Sequence, residues 1–348
     1  MNTMPSTPSV ILASTAVMDR AKPTSHWHPG PLLRSLLFVA AACSFSVASA
    51  QRDSLLYRDP AFQKAIRSDK AGKHGAAQKA YDQVALDSAR RSTALRLKAN
   101  CLFDHEGRVV EALAAYDLAI SSDPNDAANY NDRGLAYQTM GMTTKAITDM
   151  RRALVLTDDT DRLVAYRCNI ASAHMQVRQW KEALVELDSA KALDSTDLGV
   201  QVNRSLSLDE LGRYDEGLSI LLHANAQHPK DPLVLNNIGY HYTRLNEHAA
   251  SVTWYEQALE VQPKNASAMN NLGYAELRAG DANSALKHIQ RSIEINPSNS
   301  YAFRNLGHVW KEMGDLEKAC EAYKQALDLG FTNRYGPEVK QHYETYCR

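Results

Sequence analysis

Small and apolar residues recur along the chain at a fixed interval. Gly239, Gly273 and Gly307 stand 34 residues apart, each preceded by an aliphatic side chain, Ile238, Leu272 or Leu306. Twelve residues after the glycine comes Ser251, Ala285 or Ala319, and sixteen after it Tyr255, Ile289 or Tyr323, while Pro263 and Pro297 follow at twenty-four. Two small positions and a closing proline predict a pair of antiparallel helices per unit. A larger side chain at Gly273 or Ala285 would force the backbones apart, at a cost of about 1–3 kcal/mol. Proline ends the second helix because it cannot continue one and restricts the residue before it. One pair cannot hide its apolar stripe, so successive pairs must stack.

The register extends backwards. Ser205 is followed by Leu221, Ala224 and Pro229, and Ala171 by Ala183, Leu187 and Ala190. A three-residue insertion within residues 157–162 then leads to Gly134 with Tyr137, Ala146, Met150 and Ala153. Asn100 takes the glycine place one unit earlier, with Phe103, Ala112, Tyr116, Ala119 and Pro124, and a degenerate unit lies around Ala65, Ala77 and Tyr81. This resembles the tetratricopeptide-repeat (TPR) pattern W-x2-L-G-x2-Y, A-x3-F, P, with Leu235, Met269 and Phe303 in place of the tryptophan. The resemblance implies an all-α fold, an α-α superhelix (TPR solenoid) of about eight helical hairpins over residues 58–333. Residues 334–348 then form a C-terminal capping helix starting near Pro337, with Val339, Tyr343, Tyr346 and Cys347 on one face.

The first fifty residues differ. After Arg34 an apolar run, Leu36 to Val47, ends in Ala48-Ser49-Ala50. A positive flank, an apolar stretch and an A-x-A end read as a leader and signal peptide over residues 1–50, cleaved after Ala50, with a short segment 51–57 ahead of the repeats. The stretch is short for a membrane span, which takes about 20 residues. The expected location is therefore exported, periplasmic or outer-membrane associated, with no transmembrane span in the mature chain. Ala42-Cys43-Ser44 also resembles a lipoprotein signal, but without the leucine three residues before the cysteine, so removal of Cys43 with the signal is preferred to a lipid anchor.

Charge is balanced, 39 Lys plus Arg against 40 Asp plus Glu, so no long-range field selects nucleic acid or an anionic surface. No catalytic signature stands out: there is no H-E-x-x-H, no C-x-x-C and no phosphate loop. No enzyme, cofactor or metal site is expected, and His241 and His248 show no evident carboxylate partner.

Binding is the expected work. TPR proteins generally hold peptides on the concave surface lined by the first helix of each unit. There Asn169, Asn203, Asn237, Asn271 and Asn305 each stand two residues before the glycine place. The row resembles the asparagine ladder inside TPR superhelices, whose amides grip an extended peptide backbone; an amide donates and accepts and so needs no particular side chain opposite it. The alternative is that these amides bond between units. Asn236, Asn270 and Arg304 stand one residue before the row, Tyr240, Tyr274 and His308 three after, with Arg244 and Arg278 beyond. Aromatics and arginine are enriched in binding hot spots, which points to a polar or acidic extended segment of a protein or peptide partner. The Lys, Asn and Arg set by which chaperone-binding TPR domains hold a C-terminal carboxylate is not visible. Other roles remain open: a regulatory or targeting subunit of an enzyme complex, a lipid-anchored outer-membrane assembly factor, or a spacer.

Cys320 and Cys347 lie thirteen residues before and fourteen after Asn333, so helices folding back there would bring them together. Export would favour a disulfide; two buried thiols are the alternative. Cys101 and Cys168 are expected to be free.

Overall fold

A computed structural model describes residues 59–104, 107–332 and 336–347. The leader and signal reading, Cys43 and the segment 51–57 lie outside the described residues. Seventeen helices occupy the described chain, which contains no strand, and it divides into two compact units meeting between Val200 and Gln201.

In the first unit the helices are α1 (Pro60–Lys70), α2 (His74–Val84), α3 (Arg91–Asp104), α4 (Val109–Ser122), α5 (Ala127–Thr139), α6 (Thr143–Val155), α7 (Thr160–Gln176) and α8 (Trp180–Leu193). The second opens within α9 (Leu198–Glu210) and continues with α10 (Tyr214–Gln227), α11 (Pro232–Arg244), α12 (His248–Val261), α13 (Ala266–Ala279), α14 (Ala282–Ile295), α15 (Ser300–Glu312) and α16 (Leu316–Asp328), closing with α17 (Glu338–Tyr346). Helices α1 and α2, α3 and α4, α5 and α6, α7 and α8, α11 and α12, α13 and α14, and α15 and α16 pair into hairpins, and α17 packs on α16.

Local chemistry sets the boundaries. Pro124, Pro229, Pro263 and Pro297 each follow the residue that caps a second helix, and two residues later Asp126, Asp231, Asn265 or Asn299 accepts a backbone N–H of the next first helix. Proline therefore stops one helix while the Asx side chain starts another. The inserted residues near 157–162 appear as a longer α7, 17 residues against 13 in α5, again capped by an aspartate, Asp159.

Between hairpins, the second helix of one unit fills the space below the first helix of the next. Tyr255 of α12 packs with Leu272 and Ala275 of α13, and Ile289 of α14 with Val309 of α15. The glycine place provides the room: a Cβ on Gly273 would come within 2.6 Å of the Ile289 side chain, and one on Gly239 within 2.9 Å of the Tyr255 ring. Where Asn100 replaces glycine, Tyr116 meets it with a hydrogen bond instead, its hydroxyl donating to Asn100 Oδ1 at 2.5 Å.

At the C-terminal end Val339 is fully buried, and Tyr343 and Cys347 pack with it against Tyr301, Tyr323 and Phe331. Tyr346, expected on that face, is 40% exposed and stacks on His342 instead. Cys320 and Cys347 form a disulfide with Cα atoms 5.5 Å apart. Cys101 and Cys168 are buried and take no part in a disulfide.

Candidate peptide-binding site

The asparagine row bonds along the array from hairpin to hairpin. Asn305 Nδ2 donates to Asn270 Oδ1 at 3.0 Å, Asn271 to Asn236 at 3.4 Å and, in the first unit, Asn169 to Asn131 at 2.9 Å. Each acceptor stands one residue before the row position of the preceding hairpin. Asn169, Asn237 and Asn305 are at most 4% exposed, as are Asn236 and Asn270. The expectation that these amides grip a ligand is corrected accordingly: most are buried and already partnered, because the face that follows the 34-residue period also faces the next hairpin.

Two members depart from this relay. Val202 stands at the acceptor register for Asn237, which turns back and donates to Leu233 O at 2.8 Å. Asn203 is buried and its amide has no hydrogen-bond partner.

The arginines and aromatics form two closed clusters. Arg244 donates to Glu210 at 2.7 Å, to Tyr240 Oη at 2.8 Å and to Tyr214 Oη at 3.2 Å, and lies over both rings. Burial opposes its charge, yet these partners hold its pKa above the usual value. Burial likewise raises the Tyr240 hydroxyl. Arg304 is held between the Tyr274 and Tyr301 rings, with Nη2 and Nε on the two oxygens of Glu338 at 2.7 and 3.2 Å and Nη1 on Asn305 at 2.8 Å.

His308 Nδ1 receives the Tyr323 hydroxyl at 2.9 Å, and its Nε2 is 3.4 Å from Glu338. That arrangement suits the neutral ring with its proton on Nε2. Burial pushes the His308 pKa down to about 4. Glu338 falls to about 2 because His308 and Arg304 outweigh its own burial.

Several functional-looking residues escaped sequence reasoning. Glu338 and His342 stand 34 residues after Arg304 and His308, so α17 continues the first-helix register and its contacts were available from the period. Glu210 precedes Arg244 by the same interval. His241 was read as unpartnered; the structure pairs it with Asp209, Nδ1 to Oδ1 2.9 Å, both side chains fully buried. Burial raises the Asp209 pKa against the pull of His241. Gly217 makes room for the pair where neighbouring units carry Ala or Ser, since a Cβ there would lie 2.6 Å from the His241 ring.

Of the predicted binding residues Arg278 alone is exposed, while Tyr240, Arg244, Asn271, Tyr274 and His308 are half-buried. Arg278 follows Tyr274 by four residues and Tyr274 follows Asn271 by three, which places these three in a stripe on one face of α13.

Tetratricopeptide-repeat models match residues 62–127 and 270–334, and a second such model matches 127–159. The chain carries tetratricopeptide repeats. A third model, the N-terminal TPR repeats region of Psidin, matches residues 173–285. Among solved structures, a TPR protein from Parabacteroides merdae is 14% identical with a TM-score of 0.61, the match covering 74% of this chain and 99% of that one. Yeast Tom70 is 15% identical at a TM-score of 0.62, over 88% of this chain and 69% of its own. The APC/C hetero-tetramer Cut9-Hcn1 gives 12% and 0.57, over 88% and 62%. At these identities the likeness is one of fold. No curated protein matches the sequence. TPR repeats are typical of protein-interaction scaffolds, and among the described residues no helix is long and apolar enough to cross a membrane.

Proposed function

We propose that the chain is an exported, non-catalytic TPR scaffold that binds an acidic extended segment of a protein partner along the first-helix face of residues 201–347. The observation that carries this reading is the α13 stripe. Arg244 and Arg304 are neutralised by Glu210 and Glu338, while Arg278 on the intervening first helix is exposed beside the half-buried Tyr274 and Asn271. An arginine presents a planar fork for a carboxylate, and an amide beside it serves a peptide group of any sequence.

Arrayed extended peptides, acidic against neutral, provide the test with purified full-length chain. Arg278→Glu should weaken every acidic binder by more than about tenfold, a loss of roughly 1.4 kcal/mol, with helicity unchanged by circular dichroism. Binders indifferent to Arg278→Glu and to Asn271→Ala would remove the stripe as the site. Export is checked separately by the N-terminal mass of the native protein: a start at Gln51 supports a soluble exported chain, and a lipidated start at Cys43 an anchored one.

A further inference from the structure

The first unit gathers three different metal-ligating side chains at the tip of its first hairpin. Asp69 lies in the last turn of α1, His74 opens α2, and Cys101 comes from the last turn of α3. Their ligand atoms all lie within 4.8 Å of one another. His74 Nδ1 is 3.2 Å from Asp69 Oδ1 and 3.9 Å from Cys101 Sγ. Around a tetrahedral Zn2+, bond lengths of about 2.0–2.3 Å put neighbouring ligand atoms roughly 3.3–3.6 Å apart. The His74–Asp69 separation already fits that spacing, and the sulfur must close on both partners, by a few tenths of an ångström toward His74 Nδ1.

His74 Nδ1 faces the carboxylate and the thiol together, and Cys101 Sγ also lies 4.0 Å from the His74 carbonyl. A cation at the centre takes one ligand atom from each of the three side chains.

Cys101 is 1% exposed, whereas the Asp69 and His74 side chains are each 23% exposed, so the ion can enter from the solvent side. The carbonyl end of α1 adds a partial negative charge beside Asp69.

From this geometry we infer that Asp69, His74 and Cys101 form a binding site for Zn2+ or a similar borderline-soft divalent ion, which staples α1, α2 and α3 together. On binding, the Cys101 thiol releases its proton to solvent and the thiolate becomes the ligand.

A second group, His308, Glu338 and His342, meets the same distance criterion and serves as the contrast. Its carboxylate is already held by the Arg304 guanidinium at 2.7 Å, and His308 Nδ1 already accepts from Tyr323. A cation there would have to displace a buried arginine.

Titration of the metal-free full-length chain, its Cys320–Cys347 disulfide intact, with Zn2+ and then Co2+ tests the inference. We expect one equivalent of Zn2+, a raised melting temperature and a thiolate-to-Co2+ charge-transfer band. Cys101→Ser and His74→Ala should each weaken Zn2+ by at least about tenfold, since even outer partners of metal ligands are worth 10–100-fold. Cys101→Ser should abolish the band, while Cys168→Ser and His342→Ala should leave it unchanged. Absence of saturable Zn2+ binding, or a band that survives Cys101→Ser, would overturn the site. If Cys101→Ser loses helicity, the half-exposed His74→Ala decides: undiminished Zn2+ affinity in that variant also overturns it.

Discussion

Residues 59–200 hold buried aspartates with arginine, at Arg96–Asp132 and Arg133–Asp149, whereas residues 201–347 set histidine against carboxylates, at His241–Asp209 and His308–Glu338. In the first unit Arg96 and Asp132 meet at 2.7 Å, and Asp132 also accepts from Asn100 at 3.1 Å and Asn131 at 3.2 Å, so one carboxylate in the asparagine row serves three donors. Arg133 grips Asp149 through two nitrogens at 2.7 and 2.9 Å. In the second unit Asp209 is paired with His241, and Glu338 with His308 as well as Arg304. Arginine keeps its charge at any ordinary pH and histidine does not. The two units therefore differ at these sites: arginine holds Asp132 and Asp149 in the first, whereas in the second Glu338 also relies on His308, whose charge changes in acid.

The sharpest break of that contrast is Asp132→Ala. Burial works against the charge of Arg96, and the Asp132 and Asp126 carboxylates more than reverse it. Removing one partner of a buried pair costs about 3–5 kcal/mol, because the other charge is left uncompensated. Chemical denaturation should show a loss of that size, and a joint Arg96→Met, Asp132→Leu replacement should recover most of it. A loss under about 1 kcal/mol would mean that water already screens the pair.

Acid should separate the two units next. The folded pKa of His308 lies below its unfolded value, so the neutral ring carries the stability. That stability is complete above about pH 6.5 and is withdrawn as pH falls toward 4, a span equivalent to about 3 kcal/mol. Glu338, lowered from 4.5 to about 2, extends the loss to lower pH with the same sign. Burial lowers His342 as well, in the same direction. Hydrogen exchange at pH 7 and pH 4.5 should show α15 and α17 losing protection while α5 and α6 keep theirs; equal loss in both units would remove the contrast. His308→Gln should flatten the response.

The hairpins were legible in the sequence because their determinants are local. Proline followed two residues later by Asp or Asn, as at Pro263 and Asn265, writes a helix end and a helix start, and glycine opposite a large side chain writes a close crossing. The binding residues were less legible, since spacing alone does not distinguish a side chain facing a ligand from one facing the next hairpin. Asn305 and Asn270 obey the period whichever way they point. The deciding information was in the acceptor register, asparagine at 236 and 270 but Val202 in the corresponding place. Glu338 was missed although it lies one period beyond Arg304, because the capping helix has no glycine or alanine pattern to mark it as a further first helix. Asp209 and His241 are 32 residues apart, outside the register, and no periodic reading finds them.

The smallest effect tests the asparagine row itself. Asn305→Ala removes a donor from Asn270 and an acceptor from Arg304, leaving two buried polar groups short of a partner, which should cost about 1–3 kcal/mol. Asn203 is as deeply buried but makes no hydrogen bond, so Asn203→Leu breaks none and relieves the desolvation of an idle amide. Its stability should be unchanged or higher by a few tenths of a kcal/mol. Equal losses at both positions would mean that Asn203 has a bridging water and that its amide is engaged after all. A loss at Asn305 alone would establish that the row earns its periodicity by joining hairpins, and that any amide contact with a partner is confined to positions such as Asn271, where the side chain is only half-buried.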